Sequence, residues 1–229
     1  MAEGFGSARP QSAMIRRLNL PDSAEPDREG LLHAPSAARN QKPILDALGP
    51  HLPHGGLFLE VASGTGQHVA ALAAEHPDLR FQPSEPDPVR RRAIDARTRD
   101  LPNVAPARYL DACTPGWGRG LRADVILTVN LLHLISDAEM AVLLDEAAQA
   151  IVPGGLLAIY GPFLRGGQAT SEGDAGFHMS LQRQDPSIGL KDADLVVSVL
   201  QALAFAVDIV PMPANNLMLL ARSGSKPGF

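Results

Sequence analysis

The chain has 229 residues, 45% apolar and 20% charged, which is enough for one medium-sized domain with its own core. Its single cysteine, Cys113, excludes an internal disulfide framework and argues against a cysteine-based zinc site. The net charge of −5 argues against a surface devoted to nucleic acid. Apolar runs are too short to cross a bilayer, and the first 30 residues contain no apolar stretch of a secretory signal, so we expect a cytoplasmic protein with no membrane partner.

The first 33 residues are rich in glycine and proline and show no apolar period, which predicts a flexible leader over 1–33 and a single domain over 34–229. Order is expected to begin near Pro35, where Ser36 would cap a helix that carries Ile44, Leu45 and Leu48 on one face.

Strands and helices then alternate along the chain. We expect strands at 57–62, 79–83, 104–110, 123–130 and 156–160, and helices at 67–75, 88–99 and 137–151. The tail adds a helix at 193–204 and two strands, 205–210 and 216–221, close enough to pair as an antiparallel hairpin. This alternation predicts an α/β fold: a doubly wound, mostly parallel sheet with helices on both faces and one reversed strand near the C-terminus.

Acidic residues and glycines follow the strands of this predicted sheet, where open α/β sheets bind their ligands. Gly64 and Gly66 follow the first strand and precede a helix, so the backbone there can turn tightly and approach a ligand. Glu60, Glu85 and Asp111 occupy the ends of three successive strands, and Glu85 is placed to accept both hydroxyls of a ribose. The alternatives are a glycine turn that serves packing alone and a solvated loop aspartate.

Two kinds of cofactor site compete at the glycine turn. A dinucleotide site requires a third glycine three residues after Gly66, and that position holds Val69. The sequence from Glu60 to Gly66 instead resembles motif I of class I methyltransferases, in which an acid precedes glycines at alternating positions. Ala62 stands where the first of those glycines usually lies.

A closer resemblance extends from about residue 34 to residue 222. Its segments are SAARNQKPI (36–44), EVASGTGQH (60–68), FQPSEPD (81–87), YGP (160–162) and MPANN (212–216). They resemble the domain of unknown function 938, a methyltransferase family that includes methyltransferase-like protein 26. This resemblance implies a seven-stranded Rossmann-like methyltransferase sheet and S-adenosylmethionine as cofactor. The cofactor-binding residues it implies are Glu60, Ala62, Ser63, Gly64, Thr65, Gly66, Glu85, Asp111, Ala112 and Asn130.

The acceptor side is predicted from fewer residues. His133 follows the fourth strand and is a candidate general base, the alternative being a histidine hydrogen-bonded into its loop. Tyr160 would orient the acceptor or face the sulfonium. We expect four polar residues from the two ends of the domain to bind the substrate, with helix capping and turn formation as the alternative for the asparagines. They are Arg39, Asn40, Asn215 and Asn216. No histidine spacing suggests a metal site.

The leading hypothesis is therefore methyl transfer from S-adenosylmethionine to a small-molecule acceptor. An RNA or protein methyltransferase would share the cofactor site, and a non-catalytic cofactor-binding module would keep it without turnover. A nicotinamide-dependent oxidoreductase is opposed by Val69. Five arginines between residues 90 and 99 are expected to form a solvated helix face in preference to a nucleic-acid contact.

Overall fold

The computed structural model describes residues 18–20, 24–26 and 31–224. The helices are α1 (Pro35–Leu48), α2 (Gln67–Glu75), α3 (Pro88–Thr98), α4 (Asp137–Ala150), α5 (Glu172–Gln184) and α6 (Ala193–Ala202). The strands are β1 (Glu25–Pro26), β2 (Leu32–His33), β3 (Leu57–Val61), β4 (Arg80–Ser84), β5 (Ala123–Val129), β6 (Ile151–Leu164), β7 (Lys191–Asp192), β8 (Phe205–Pro211) and β9 (Asn216–Ser223). Within the described residues, none of the helices has both the length and the hydropathy that a membrane span requires.

The main sheet has seven strands in the order β4-β3-β5-β6-β9-β8, and the short β7 pairs with the far end of β6. The pairs β3–β4, β3–β5, β5–β6 and β6–β7 are parallel, whereas β9 runs antiparallel to both β6 and β8. The predicted doubly wound sheet with a C-terminal antiparallel strand is thereby confirmed. The chain leaves β3 for β4 and then returns to β5 on the other side of β3, so the strand order reverses between β3 and β5.

Helices cover both faces because successive strand residues point to opposite sides of the sheet. Phe58 packs with Leu72 of α2 in the apolar cluster beneath α1, α2 and α3. Its neighbour Leu59 packs with Leu144 of α4 in the cluster on the opposite face. All four side chains are almost completely buried. The two clusters fix the register of the sheet and hence the positions at which its strands end.

The predicted strand over 104–110 is wrong. This segment makes only two isolated parallel bridges to β4, one at Val104 and one at Arg108. Pro102 and Pro106 flank and interrupt it, and a proline offers no N–H to a ladder. The backbone still hydrogen-bonds to β4 on both sides of Pro106, so Asp111 is carried to the edge of the sheet by an irregular segment.

Other element boundaries differ from prediction for local reasons. The first helix begins at Pro35, whose fixed φ suits the first helical position, and Ala34 precedes it without a side-chain cap, so Ser36 is not the cap. Strand β6 begins at Ile151, directly after α4, and reaches Leu164, with a register irregularity opposite β5 between Ala123 and Val125. Helix α5 and the short β7 were not predicted.

Part of the predicted leader makes defined contacts. The backbone N–H of Asn19 donates to Oε1 of Gln184 over 2.7 Å, and Leu18 and Leu20 pack against an apolar cluster that includes Leu181 of α5. Strands β1 and β2 pair antiparallel. Residues 1–17, 21–23 and 27–30 lie outside the described residues, and the flexibility of the leader stays a prediction.

Candidate functional site

The turn after β3 depends on left-handed backbone conformations. The φ angles of Ala62, Gly64 and Gly66 are 58°, 58° and 76°. A Cβ atom on Gly66 would lie 3.1 Å from Cα of Ile94 in α3, whereas a Cβ on Gly64 would meet nothing within 4 Å. Gly66 therefore allows α3 to pack closely, and Gly64 borders open space at the switch in strand order.

Ala62 occupies the same region of the backbone map without the freedom of glycine. A left-handed conformation costs an alanine about 1–2 kcal/mol. The surrounding structure holds it in place, since Ser63 donates its backbone N–H to the carbonyl of Ser84 over 2.9 Å. The departure from the usual glycine at this position thus leaves the course of the turn intact, at the expense of some strain.

Glu60 lies in the floor of the site, at 2% exposure. Its Oε2 has no hydrogen-bond partner within the part of the chain that the structure describes. Burial raises the pKa of its carboxyl to about 8; the neighbouring Ser63 acts to lower this pKa, and the charge of Glu85 raises it. Glu60 is therefore mostly protonated at neutral pH, and a buried polar atom without a partner is the exception in folded proteins.

Glu85 follows β4 and is tied to the glycine turn. One carboxylate oxygen accepts the backbone N–H of Gly64 over 3.0 Å, and the other accepts that of Asp87 over 3.3 Å. The side chain is only 4% exposed, and this burial raises its pKa. The positive charge of Arg90 is the largest of the effects that lower the pKa. Glu85 and Gly64, two of the predicted cofactor-binding residues, are thus brought together by a direct hydrogen bond.

Asp111 and Ala112 are engaged within their own loop. The carboxylate of Asp111 accepts the backbone N–H of Cys113 over 2.9 Å and the hydroxyl of Thr114 over 3.1 Å. The carbonyl of Ala112 accepts the indole N–H of Trp117 over 3.3 Å. These bonds satisfy the loop, and a contact of Asp111 with adenine stays a prediction.

Two residues that sequence reasoning missed connect the glycine turn to the approach of α1. Oε1 of Gln67 accepts the backbone N–H of Ala34 over 2.7 Å and the hydroxyl of Thr65 over 2.8 Å. Arg97 donates to the carbonyls of Thr65 and Leu32 over 3.1 and 2.8 Å. Gln67 lies within the EVASGTGQH segment, which was a usable signal, whereas Arg97 was expected to be solvated.

Of the other four arginines between residues 90 and 99, one is half-buried and three are exposed. Arg91 is half-buried, donates to the carbonyls of Glu85 and Pro86 over 2.7 Å each, and stacks over the ring of Tyr109. Three others are exposed, in line with a solvated helix face. They are Arg90, Arg92 and Arg99.

On the acceptor side, the structure buries polar side chains from three elements. Asn40 of α1 and Tyr160 of β6 are 7% and 3% exposed, and burial raises the pKa of the Tyr160 phenol. Oδ1 of Asn40 lies 2.8 Å from Nε2 of His68 in α2, which is 6% exposed. Asn130 ends β5 beside them with φ of 57°, and its backbone N–H donates to the carbonyl of Tyr160 over 2.8 Å.

His133 lies in a short 3₁₀ turn after β5 and is 6% exposed. Its ring meets that of Phe177 edge to face, with 5.2 Å between centroids. Burial lowers its pKa to about 4, and the positive charge of Lys191 lowers it further. His133 is thus neutral at physiological pH and covered by α5, a setting that suits a shaping role better than proton transfer.

The last two predicted substrate residues form the tip of the β8–β9 hairpin. Asn215, with φ of 61°, donates from Nδ2 to Asp174 of α5 over 3.2 Å. Asn216 donates from Nδ2 to the carbonyls of Pro213 and Ala214 over 2.9 and 3.2 Å. These bonds are those expected for turn formation. No described contact joins the hairpin tip to Asn40, and Arg39 lies exposed on α1.

Metal-ligand side chains do not converge in the part of the chain that the structure describes. Across these residues, no group of three or more histidine, cysteine, aspartate or glutamate side chains is arranged to hold a metal ion.

The family described as "Protein of unknown function (DUF938)" has a model that matches residues 32–223. Among solved structures, an O-methyltransferase family protein from Burkholderia thailandensis superposes with a TM-score of 0.73 at 21% identity. An O-methyltransferase family 2 protein from Planctomyces limnophilus in complex with apigenin gives 0.69 at 18%, and human N-acetylserotonin methyltransferase in complex with S-adenosylmethionine gives 0.68 at 15%.

The three superpositions cover 84%, 82% and 83% of this chain, in the same order. They cover 58%, 60% and 53% of the other chains, so this chain spans less than two thirds of their length. The shared part is the methyltransferase-type Rossmann-like sheet.

Proposed function

The chain belongs to the DUF938 family, and from that premise we propose that it transfers a methyl group from S-adenosylmethionine to a small-molecule acceptor. The observation that carries the proposal is Glu60, a buried carboxyl with an unpartnered oxygen, directly before a glycine turn that borders open space. The proposal includes a cytoplasmic setting and a small-molecule partner.

The residues at the switch in strand order fit this cofactor. Glu85 would accept the ribose hydroxyls, because a carboxylate can take two hydrogen bonds from a diol. The space beside Gly64 would receive the ligand where any side chain would intrude. Glu60 would face positive charge on the amino acid portion, which gives its unpartnered oxygen a partner. Asp111, Ala112 and the backbone of Ser63, Thr65 and Gly66 would complete the pocket.

When bound, the cofactor supplies a methyl group already activated by a sulfonium. What remains for the chain is to hold the acceptor close and in line, and such positioning accounts for much of the rate enhancement in bimolecular reactions. Asn130 directly follows β5, Tyr160 lies on the adjacent β6 opposite Val129, and both are placed for this role. Proton removal is required only when the acceptor arrives protonated, and His133, with a pKa of about 4, is a weak base.

A nicotinamide site is disfavoured by the environment of position 69. Val69 is fully buried in the cluster beneath α1–α3, so a branched side chain fills the space that a third glycine would leave for close helix–strand packing.

Calorimetric titration of the full chain with S-adenosylmethionine, S-adenosylhomocysteine and NADH tests the proposal. We expect micromolar binding of the two sulfur compounds and a loss of about 100-fold in Glu85→Ala, because two hydrogen bonds to a carboxylate disappear. Glu75→Ala removes an exposed carboxylate at the far end of α2 and serves as the matched control. Preference for NADH, or no binding of either sulfur compound, would contradict the proposal; tight binding without turnover across an acceptor panel would indicate a binding module.

A further inference from the structure

Glu146 of α4 is a buried carboxylate that belongs to none of the predicted sites. It is 4% exposed, and each of its oxygens accepts a backbone N–H over 2.6 Å, Oε1 from Gly116 and Oε2 from Gly118. A buried carboxylate is stable only when hydrogen bonds replace the water that it loses. The two glycines supply those bonds, so Glu146 holds the segment that contains them against α4.

That segment, the crossover loop of residues 111–122, contains neither a helix nor a strand. It leads to β5 at a place where doubly wound folds usually have a helix, so its backbone N–H groups need partners outside the loop. The two oxygens of Glu146 are such partners. A Cβ atom on Gly118 would overlap the backbone carbonyl of Glu146, so the crossover loop lies directly against α4.

Trp117, between the two glycines, connects this contact to the predicted cofactor site. Its ring packs against the apolar cluster beneath α4, and its indole N–H donates to the carbonyl of Ala112 over 3.3 Å. The preceding Asp111 accepts the N–H of Cys113 on one carboxylate oxygen and the hydroxyl of Thr114 on the other. Each oxygen keeps a lone pair for a ligand, because a carboxylate has about four acceptor positions. The direction of those lone pairs therefore depends on the crossover loop that Glu146 holds.

We propose that Glu146 is a positioning residue for the nucleobase of the cofactor: it fixes the crossover loop so that Asp111 meets the amino group of adenine. The inference rests on the proposed function and concerns the base specificity of the same site. A carboxylate only accepts hydrogen bonds, so it matches the 6-amino group of adenine and repels the 6-oxygen of hypoxanthine. This selectivity requires a fixed carboxylate, since a mobile one would turn away from the oxygen.

Two ligands that differ in the base test the inference. They are S-adenosylhomocysteine and S-inosylhomocysteine, in which an oxygen replaces the 6-amino group. Calorimetry on the full chain should show that the parent prefers the adenine compound by about 100-fold, because the 6-oxygen faces an acceptor. In Glu146→Gln one amide oxygen replaces two carboxylate oxygens, so the crossover loop loosens and the preference should fall about tenfold. Asp145→Asn, at the neighbouring exposed carboxylate of α4, is the matched control and should keep the preference of the parent.

The preference between the two ligands separates a positioning role from a purely structural one. A general loss of packing weakens the binding of both ligands by the same factor and leaves their ratio unchanged. If Glu146 acts through Asp111, then Glu146→Gln should not change the preference further in an Asp111→Ala background. Trp117→Phe keeps an aromatic ring and removes only the N–H to Ala112, and it should lower the preference about threefold. This variant decides the question if Glu146→Gln does not fold.

The fluorescence of Trp117 reports the crossover loop without any ligand, because the sequence contains one tryptophan. We expect Glu146→Gln to shift the emission to longer wavelength and to increase quenching by acrylamide, since a loosened loop exposes the indole to water. Asp145→Asn should change neither signal.

An unchanged preference in folded Glu146→Gln would overturn the inference, and so would unchanged fluorescence or equal binding of the two ligands by the parent. If Glu146→Gln does not fold, an unchanged preference in Trp117→Phe would overturn it. The proposed function fails in a different way: the parent then binds neither ligand, and the inference fails with it.

Discussion

The two halves of the candidate site differ in how their polar groups are satisfied. Among the described residues, Glu60 near the end of β3 retains an oxygen without a hydrogen-bond partner, and Gly64 borders open space. On the side of β5 and β6, by contrast, Oδ1 of the buried Asn40 lies 2.8 Å from Nε2 of the buried His68. The acid of the first half is prepared for a ligand that completes it, whereas the polar pair of the second half has its partner within the protein.

This difference affects the energetics of ligand binding in each half of the site. A buried carboxyl without a partner is costly until a ligand supplies one, so binding there relieves a penalty that the fold has already incurred. The paired side chains of Asn40 and His68 carry no such penalty. The two halves can therefore be perturbed separately.

The largest effects are expected at the two glycines of the turn after β3. Gly66→Ala should cost about 2–3 kcal/mol of unfolding free energy, because the new methyl adds a contact near 3.1 Å from Ile94 Cα to an unfavourable φ. Gly64→Ala carries only the backbone strain, about 1 kcal/mol, but should weaken cofactor binding at least about tenfold by filling the open space. Urea unfolding and calorimetry measure the two quantities. If Gly64→Ala binds the cofactor as tightly as the parent protein does, the cofactor binds at another place.

Glu60 should couple cofactor binding to pH. Its pKa is raised from 4.5 to about 8, so its contribution to stability is fully present below 4.5 and is lost as the pH rises through 8. A positive ligand favours the ionised form; affinity should therefore increase toward pH 8, with proton release on binding. Glu60→Gln should flatten both pH dependences and weaken binding about tenfold, as calorimetry in two buffers of different ionisation enthalpy would show. Proton uptake on binding would contradict the assignment.

Substitution of His133 distinguishes a role in shaping the pocket from a role as general base. With its pKa at about 4 and its ring against Phe177, we expect His133→Gln to cost about 1 kcal/mol of stability and less than about fivefold in kcat. General-base catalysis is worth about 100-fold or more. A loss of that size with unchanged cofactor affinity would make His133 the base.

The smallest effects are expected at the hairpin tip. Asn215 has φ of 61° and bonds to Asp174 on the surface. Asn215→Ala should lower stability by about 1 kcal/mol through backbone strain, and Asn215→Gly, which removes the same side chain without that strain, should not. If both variants lower kcat/KM for the acceptor, the side chain itself contacts the substrate.

The local structure of the first half of the candidate site was predicted from the sequence because its signals are local. Strand β3, the turn to Gly66 and helix α2 are contiguous, and α2 begins and ends at the predicted residues. The false strand over 104–110 shows the limit. Its apolar pattern was read without the consequence that Pro106 has for pairing along the edge of β4.

The second half depends on contacts between distant segments. Asn40 and His68 are 28 positions apart, and neither spacing nor composition indicates that their side chains meet. Helix α5 was missed for a similar reason. The apolar residues that support it, including Leu181, find their partners in segments as far away as Leu18 and Leu134. Tertiary packing decides such elements, and a single sequence does not display it.

Arg97 contacts Thr65 and Leu32 only through their backbone carbonyls. A carbonyl is present whatever the side chain, so positions 32 and 65 can vary without loss of these bonds. The guanidinium cannot be replaced so freely, because a lysine ammonium does not reproduce its planar, forked geometry. This junction therefore depends on one side chain, and that residue lies outside the sequence segments that carry the family resemblance.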